Sequence, residues 1–267
     1  MSSFGLAADL TINLPNGETM DLVYIPAGTF MMGSPTDERG RYDREDLHQV
    51  TLTSGYYMGV TEVTQGQWKA VMGSPADLTC GRKGPYGGGP DYPVYCVSWN
   101  FIADPYGFVE ELNDYLAATS QPGAGLFRLP TEAEWERAAR GETQTEFSFP
   151  APPDWDTDCE SFPEADPYMV WCGNDNGQAE IAGSKQANPY GLHDMHGNLW
   201  EWVEDRWQAH LGYDPVVDPA GPATGSYRVG RGGYWLYFAR VCRSANRGGS
   251  YPSDRNNSLG FRVARSE

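Results

Sequence analysis

Basic residues are scarce in this chain: 19 Lys and Arg stand against 36 Asp and Glu, a formal net charge of −17. A surface of that sign repels phosphate backbones and anionic headgroups, so no nucleic-acid partner is expected. Long apolar runs are missing as well. None approaches the roughly 18 residues that a membrane span needs, and no direct membrane insertion is expected. The first residues, MSSFGLAADLTINLPNG, have neither a basic n-region nor a long apolar h-region, so no signal peptide is read in them. Cysteine is sparse too. Five in 267 residues (Cys80, Cys96, Cys159, Cys172 and Cys242) are too few for a disulfide scaffold, and an odd number leaves at least one free thiol. Cys80 with Cys96 and Cys159 with Cys172 are local pairs open to an oxidising compartment, and reduced thiols are equally compatible with the spacing. The chain has no internal repeat and no low-complexity linker.

What is present argues for a folded core. Apolar residues make up 40% of the chain, with nine Trp, while 32 Gly and 20 Pro call for long loops and few helices. TINLP, MDLVYIPAG and TFMMGS read as strands, and HQVTLTSGYYMGVTEVT as two more interrupted by Gly55. A helix is predicted from Thr64, whose hydroxyl can cap it, to Gly73; residues 74–93 read as loop. FIADPYGFVEELNDYLAAT puts Phe108, Leu112, Tyr115 and Leu116 on one helical face. In FRLPTEAEWERAARG, Thr131 and Glu134 form a capping box and Gly141 ends the helix. Residues 142–190 are polar, Pro-rich and without period, an irregular surface insert. The last forty residues read as terminal strands.

MDLVYIPAGTFMMGS, HQVTLTSGYYMGVTEVTQGQWKAVM, PVYCVSW, FRLPTEAEWERAARG, NPYGLHDMHGNLWEW and RGGYW…CRSANR…GFRVAR follow one another in order. Together they resemble the sulfatase-modifying factor family, whose founding member is the formylglycine-generating enzyme. The resemblance covers roughly residues 20 to 265. It implies an α+β fold, the formylglycine-generating-enzyme variant of the C-type lectin fold, with little regular secondary structure. The expectation is one domain over 1–267, with the insert at about 142–190 and a distinct C-terminal region at 228–265. Fold does not settle function, because the family holds copper oxidases, iron-dependent sulfur-transfer enzymes and non-catalytic binders alike.

In the copper enzymes of the family, two thiolates with four residues between them hold Cu(I) soon after a Gly-Gly dipeptide, and soft thiolates suit that ion. Counted without a gap from Gly232-Gly233, this chain has Tyr237 at the first position and Cys242 at the second. A phenol does not replace a thiolate, so no copper is expected. Aligned instead on CRSANR, Cys242 becomes a core-facing residue unrelated to copper, as most free cysteines are. Neither alignment restores a pair. His193 and His196 have three-residue spacing, but the family pattern has an aromatic at the first and a turn at the second, which favours packing over metal binding. Glu132, Glu134 and Glu136 sit in the first turns of a helix, where the dipole favours carboxylates, so a structural role is preferred to a general base.

The DMHGNLWEW loop resembles the family's structural Ca²⁺ site. Carried over position by position, Asp194 and Glu201 would bind through side chains, Gly197 and Leu199 through carbonyls. Oxygen ligands from a glycine-bearing loop suit a hard cation. The alternative is a loop held by hydrogen bonds alone.

The final stretch, RVGRGGYWLYFARVCRSANRGGSYPSDRNNSLGFRVAR, breaks the alternation that a half-buried strand needs, since Leu236-Tyr237-Phe238 would turn apolar side chains to solvent. Exposed aromatic patches mark binding sites. The pattern resembles the variable region of diversity-generating retroelement proteins, many of which use this fold. In those systems adenine-directed mutagenesis replaces residues between fixed Arg, Ser and Gly positions. The resemblance implies a non-catalytic binder, its site formed by Tyr234, Leu236, Tyr237, Phe238, Val241, Asn246, Gly248, Gly249, Ser250, Tyr251, Ser253 and Asn256, its partner a protein or glycan. Display on a cell or phage surface would suit such a receptor. The plain alternative is a core strand followed by an ordinary loop, and Trp235 is core in either case. The rival function is a formylglycine-generating-type copper oxidoreductase acting on a protein cysteine, or an inactive accessory paralogue of it.

Overall fold

The computed structural model describes residues 8–80, 84–155, 158–159 and 162–267. The chain opens with strands Leu10–Asn13 (β1), Thr19–Ile25 (β2), Gly28–Met32 (β3), His48–Leu52 (β4) and Tyr56–Gly59 (β5). Helices Gln65–Met72 (α1), Trp99–Ala103 (α2) and Phe108–Ala118 (α3) follow, then the short strand Phe127–Arg128 (β6) and helix Glu132–Arg140 (α4). Trp200–Arg206 (β7), Val216–Val217 (β8), Arg228–Arg231 (β9), Arg247–Ser250 (β10), Leu259–Phe261 (β11) and Ala264–Ser266 (β12) complete the chain. They form three sheets, in the orders β1-β2-β5-β12-β6, β10-β9-β7-β11 and β3-β4-β8. The last strand, β12, thus lies between β5 and β6, antiparallel to both, and ties the C-terminal region into the N-terminal sheet.

Local rules account for most of these elements. Thr64 accepts from Gln67 N while the Gln67 side chain accepts from Thr64 N, and Gly73 ends α1 at φ 70°. Thr131 and Glu134 make the same box on α4, closed by Gly141 at φ 54°. The single helix expected over 101–119 is two. Pro105 lacks the N–H a helix interior needs, so α2 ends at Ala103 and α3 restarts after Gly107. Phe108, Leu112 and Leu116 are buried on α3, while Tyr115 is half-buried.

A large core joins Trp68, Phe108, Trp202 and Phe261, and a second packs β2 to β5 against Trp135 and the alanines of α4. The surface insert expected at 142–190 needs correction. Phe147, Phe149, Trp155, Phe162, Met169 and Trp171 are buried there as a third core. Their spacing has no period because no helix or strand among the segment's described residues imposes one; the rings meet through turns, Phe147 to Phe149 at 4.9 Å and Phe149 to Tyr168 at 4.7 Å. Disulfides Cys80–Cys96 and Cys159–Cys172 are formed, and Cys242 is the free cysteine, buried.

Candidate binding face and loop centre

The arginines of the C-terminal region anchor it from beneath. Arg247 reaches Glu132 with two parallel bonds of 2.7 and 2.6 Å, Arg231 pairs with Glu136, and Arg243 grips Glu45 at 2.9 and 2.6 Å. Arg140 also holds Glu136, and Arg128 holds Glu134 at 2.7 Å, so the three glutamates of α4 are ion-paired, in keeping with the structural role expected of them. Burial alone would raise the Glu132 carboxyl; Arg247 and Arg231 outweigh it and hold it below the usual carboxylate range.

Between β9 and β10 the strand expected through Leu236-Tyr237-Phe238 is absent. Gly232 (φ 97°) and Gly233 (φ 77°) reverse the chain, residues 235–236 turn, and Ala239–Val241 form a single 3-10 turn. A Cβ on Gly233 would lie 2.7 Å from Cys242 Sγ, so only glycine fits there. In a turn, neighbouring side chains diverge without the two-residue alternation of a strand. Trp235 points inward at 2% exposure, while Leu236 and Tyr237 point outward at 51% and 41%.

Tyr234 and Phe238 are half-buried beside them, with Tyr234 to Tyr237 at 5.5 Å and Tyr237 to Phe238 at 5.1 Å between ring centroids. Tyr251, Ser253, Asn256 and Gly249 are exposed; Gly248 and Ser250 are half-buried. Val241 and Asn246 do not belong to this face. Both are buried, Val241 on the inner side of the 3-10 turn and Asn246 donating through Nδ2 to Val241 O at 2.7 Å. Gly249 is constrained as well, since a Cβ there would meet Trp207 at 2.8 Å. Sequence reading missed Tyr227, whose ring lies 4.4 Å from that of Tyr251 with the hydroxyls 3.0 Å apart. It stands one residue before the stretch that drew attention. From behind, Cys172 N donates to Tyr237 O at 3.1 Å, so the disulfide-closed insert supports the turn.

Cys242 and His196 form the floor. Burial pushes the Cys242 thiol up to about 12, and no second cysteine side chain is free to join it. A lone protonated thiol does not fit Cu(I), which needs thiolates. His196 donates through Nδ1 to Cys242 O at 2.8 Å, and Ser148 N donates to its Nε2 at 3.1 Å. That places the single proton on Nδ1, and burial pushes the ring down to about 4. His193 faces Lys185 O through Nδ1 at 2.6 Å.

The DMHGNLWEW loop carries three positive φ angles, at Asp194 (59°), Gly197 (100°) and Asn198 (60°). A Cβ at Gly197 would come 2.1 Å from Val170 O. Asp194 Oδ2 accepts from Gly183 N at 2.6 Å, and Glu62 Oε1 accepts from Asn198 Nδ2 at 3.0 Å. The other oxygen of each, Asp194 Oδ1 and Glu62 Oε2, is buried and accepts from no N–H or hydroxyl donor, while the two carboxyls lie within hydrogen-bonding reach of one another. Burial raises both carboxyls above their ordinary values, that of Glu62 well above with the charges of Asp194 and Glu201 added. Two buried carboxyls in contact, each with an orphan oxygen, suit a hard cation. Glu201 does not. Arg262 grips both of its oxygens at 2.7 Å and Trp135 Nε1 donates at 2.7 Å, so its charge is already neutralised. Among the described residues no group of three His, Cys, Asp or Glu side chains is set for a metal, so backbone carbonyls such as those of Gly197 and Leu199 would have to complete the shell.

An irregular α+β scaffold, closed by its C-terminal strand and presenting an aromatic turn, defines a lectin-like domain of the formylglycine-generating type. The model of the sulfatase-modifying factor enzyme 1-like domain matches residues 8–267, and the chain belongs to that family. The formylglycine-generating enzyme of Mus musculus is 29% identical over 300 residues, covering 91% of this chain and 74% of that protein. Among solved structures, Treponema denticola variable protein 1 superposes with a TM-score of 0.78 at 30% identity, covering 97% of this chain and 99% of its own. PvdO from Pseudomonas aeruginosa gives 0.76 at 28%, covering 98% and 100%. The fold and both resemblances drawn from the motifs therefore stand. No helix among the described residues is long and apolar enough to cross a membrane.

Proposed function

We propose that this chain is a non-catalytic ligand-binding protein that displays a diversified C-terminal surface on a lectin-type scaffold, in the manner of diversity-generating retroelement variable proteins. The observation that carries this is the turn at 234–238, where Leu236 and Tyr237 are exposed although the residues around them, Trp235, Ala239 and Arg243, are buried. Nothing in the fold requires an apolar side chain at either exposed position, so their presence points to a partner. The likeness to Treponema denticola variable protein 1 supports the same reading. The partner is a protein or a glycan. The second reading, an oxidoreductase acting on a protein cysteine, is favoured by the similarity to the murine enzyme and opposed by the lone, protonated Cys242.

Sequencing the DNA around the gene tests the proposal. The expected finding is a near-copy of the codons for Arg228 to Arg265 that differs only where the copy carries adenine, with a reverse-transcriptase frame nearby. Without it, the diversified surface is abandoned, and Cu(I) binding and oxidation of a cysteine peptide become the next assays. At the protein level, Leu236→Ala with Tyr237→Ala should change stability by less than about 0.5 kcal/mol, as surface substitutions do. Trp235→Ala should cost about 3–5 kcal/mol. A large loss from the first pair would place those side chains in the core.

Calcium is the proposed structural ion of the 194–199 loop, held by the Asp194 carboxylate and the carbonyls of Gly197 and Leu199. Glu62 replaces Glu201 as the second carboxylate. Its charge would neutralise Glu62 and Asp194 together. At neutral pH, added calcium should raise the melting temperature and chelation lower it, by about 2.7 kcal/mol of stability at a hundredfold excess over Kd. Glu62→Gln should abolish the response. A melting temperature indifferent to both treatments would refute the site.

A further inference from the structure

In a chain of net charge −17, an arginine with no acid beside it calls for a reason. Two such arginines meet on one ring. The guanidinium carbon of Arg44 lies 4.5 Å from the centroid of Tyr42, and that of Arg240 lies 5.3 Å from the same ring and 5.7 Å from Phe238. Among the described residues neither makes an ion pair, as is true also of Arg39, Arg206, Arg228, Arg255 and Arg265, whereas Arg231, Arg243 and Arg247 around the same face all do. The Nε atoms of Arg44 and Arg240 are buried with no hydrogen-bond partner, and Arg44 Nη2 has only a long 3.5 Å contact with Asn246 Oδ1. Asp43 is exposed and turned to Arg41 at 3.4 Å.

The pair is rigidly seated. Arg243 donates to Gly40 O at 2.9 Å and bridges Glu38 and Glu45, which fixes the loop that carries Tyr42 and Arg44. Gly40 packs so closely on Arg240 that a Cβ there would lie 2.8 Å from Arg240 Cβ. Two like charges are therefore held against one ring, with Nη donors that make no short hydrogen bond among the described residues.

We propose that Arg44 and Arg240, stacked on Tyr42, form an anion subsite at the edge of the binding face that takes a carboxylate from a protein partner. The proposal rests on the reading of the 234–238 turn as a binding face. Guanidinium forks match the planar carboxylate with paired hydrogen bonds, and ring stacking holds the forks in place. A protein fits better than a glycan, because the subsite continues through Phe238 into exposed Tyr237 and Leu236, the apolar and aromatic surface that protein side chains fill.

The test uses the whole chain labelled with ¹⁵N-arginine, following the Nε–Hε signals while titrating hexaglutamate, hexaglutamine and trigalacturonate; signals are assigned from Arg44→Gln and Arg240→Gln. Hexaglutamate should move the Arg44 and Arg240 signals saturably, with a Kd on the order of 1 mM, leave that of Arg247 in place, and bind at least about tenfold more weakly to either variant. Hexaglutamine should move neither. Silence with hexaglutamate, or equal shifts with hexaglutamine, would overturn the subsite. Shifts with trigalacturonate alone would overturn the protein partner in favour of an acidic glycan. If one variant fails to fold, the other still gives the affinity comparison. A silent titration would leave the diversified surface untouched, because that stands or falls on the template copy in the DNA.

Discussion

Asp205 and His196 pull stability in opposite directions with pH. Burial, with the charge of Glu132 added, pushes Asp205 up to about 8 from 3.8, although Glu132 N donates to its Oδ2 at 2.7 Å. A raised carboxyl stabilises the fold at low pH, and that contribution drains away as pH rises through this window. His196 works the other way. Its ring is held neutral to about 4 against an ordinary 6.5, so its contribution is complete above about 6.5 and is lost as pH falls towards 4. Asp205→Asn removes the first effect alone. Its melting temperature relative to the parent chain should climb from about pH 4 to about pH 8 and level off above. A difference that does not vary with pH would mean that Asp205 is ionised in the fold. Neither group was visible in the sequence as a titrating one, because nothing in DRW or DMHG tells how deeply the side chain lies.

At the scale of elements, α4 shows how a polar helix becomes core. All nine of its residues are buried, and its charges are neutralised by arginines from β6, β9 and β10 and from its own last turn. Removing one partner of such a pair strands the other charge. Arg247→Ala should therefore cost about 3–5 kcal/mol in a denaturant titration, and a loss below about 1 kcal/mol would show that Glu132 is satisfied by Arg231 alone. The two ends of this helix were legible, because the capping box and the closing glycine are local geometry. Its burial was not. Glu132, Glu134 and Glu136 are each bound by an arginine, and the helix dipole is the lesser part of what holds their charge there. The C-terminal stretch taught the reverse. Leu236-Tyr237-Phe238 reads from sequence as a strand with an apolar face left to solvent; Leu236 and Tyr237 are indeed exposed, but on a turn, which Gly232-Gly233 signals.

For the whole molecule, motif order in the sequence was enough to place the chain in its family, and the missing thiolate partner was plain from the count between Gly233 and Cys242. Helix caps, the two local cysteine pairs as candidates and the excess of acid were equally plain, because each depends on composition or on residues a few positions apart. Only the tertiary structure decided which residues of 227–256 reach solvent, removing Val241 and Asn246 and adding Tyr227. It also brought Glu62 to Asp194, seated Tyr42 and Arg44 against Arg240, and turned the aperiodic insert into a third core around His196. The division has one physical cause. Backbone periodicity and capping are encoded by near neighbours along the chain, whereas the direction of a side chain in a turn, and the charge it meets there, is set by packing between segments far apart in sequence.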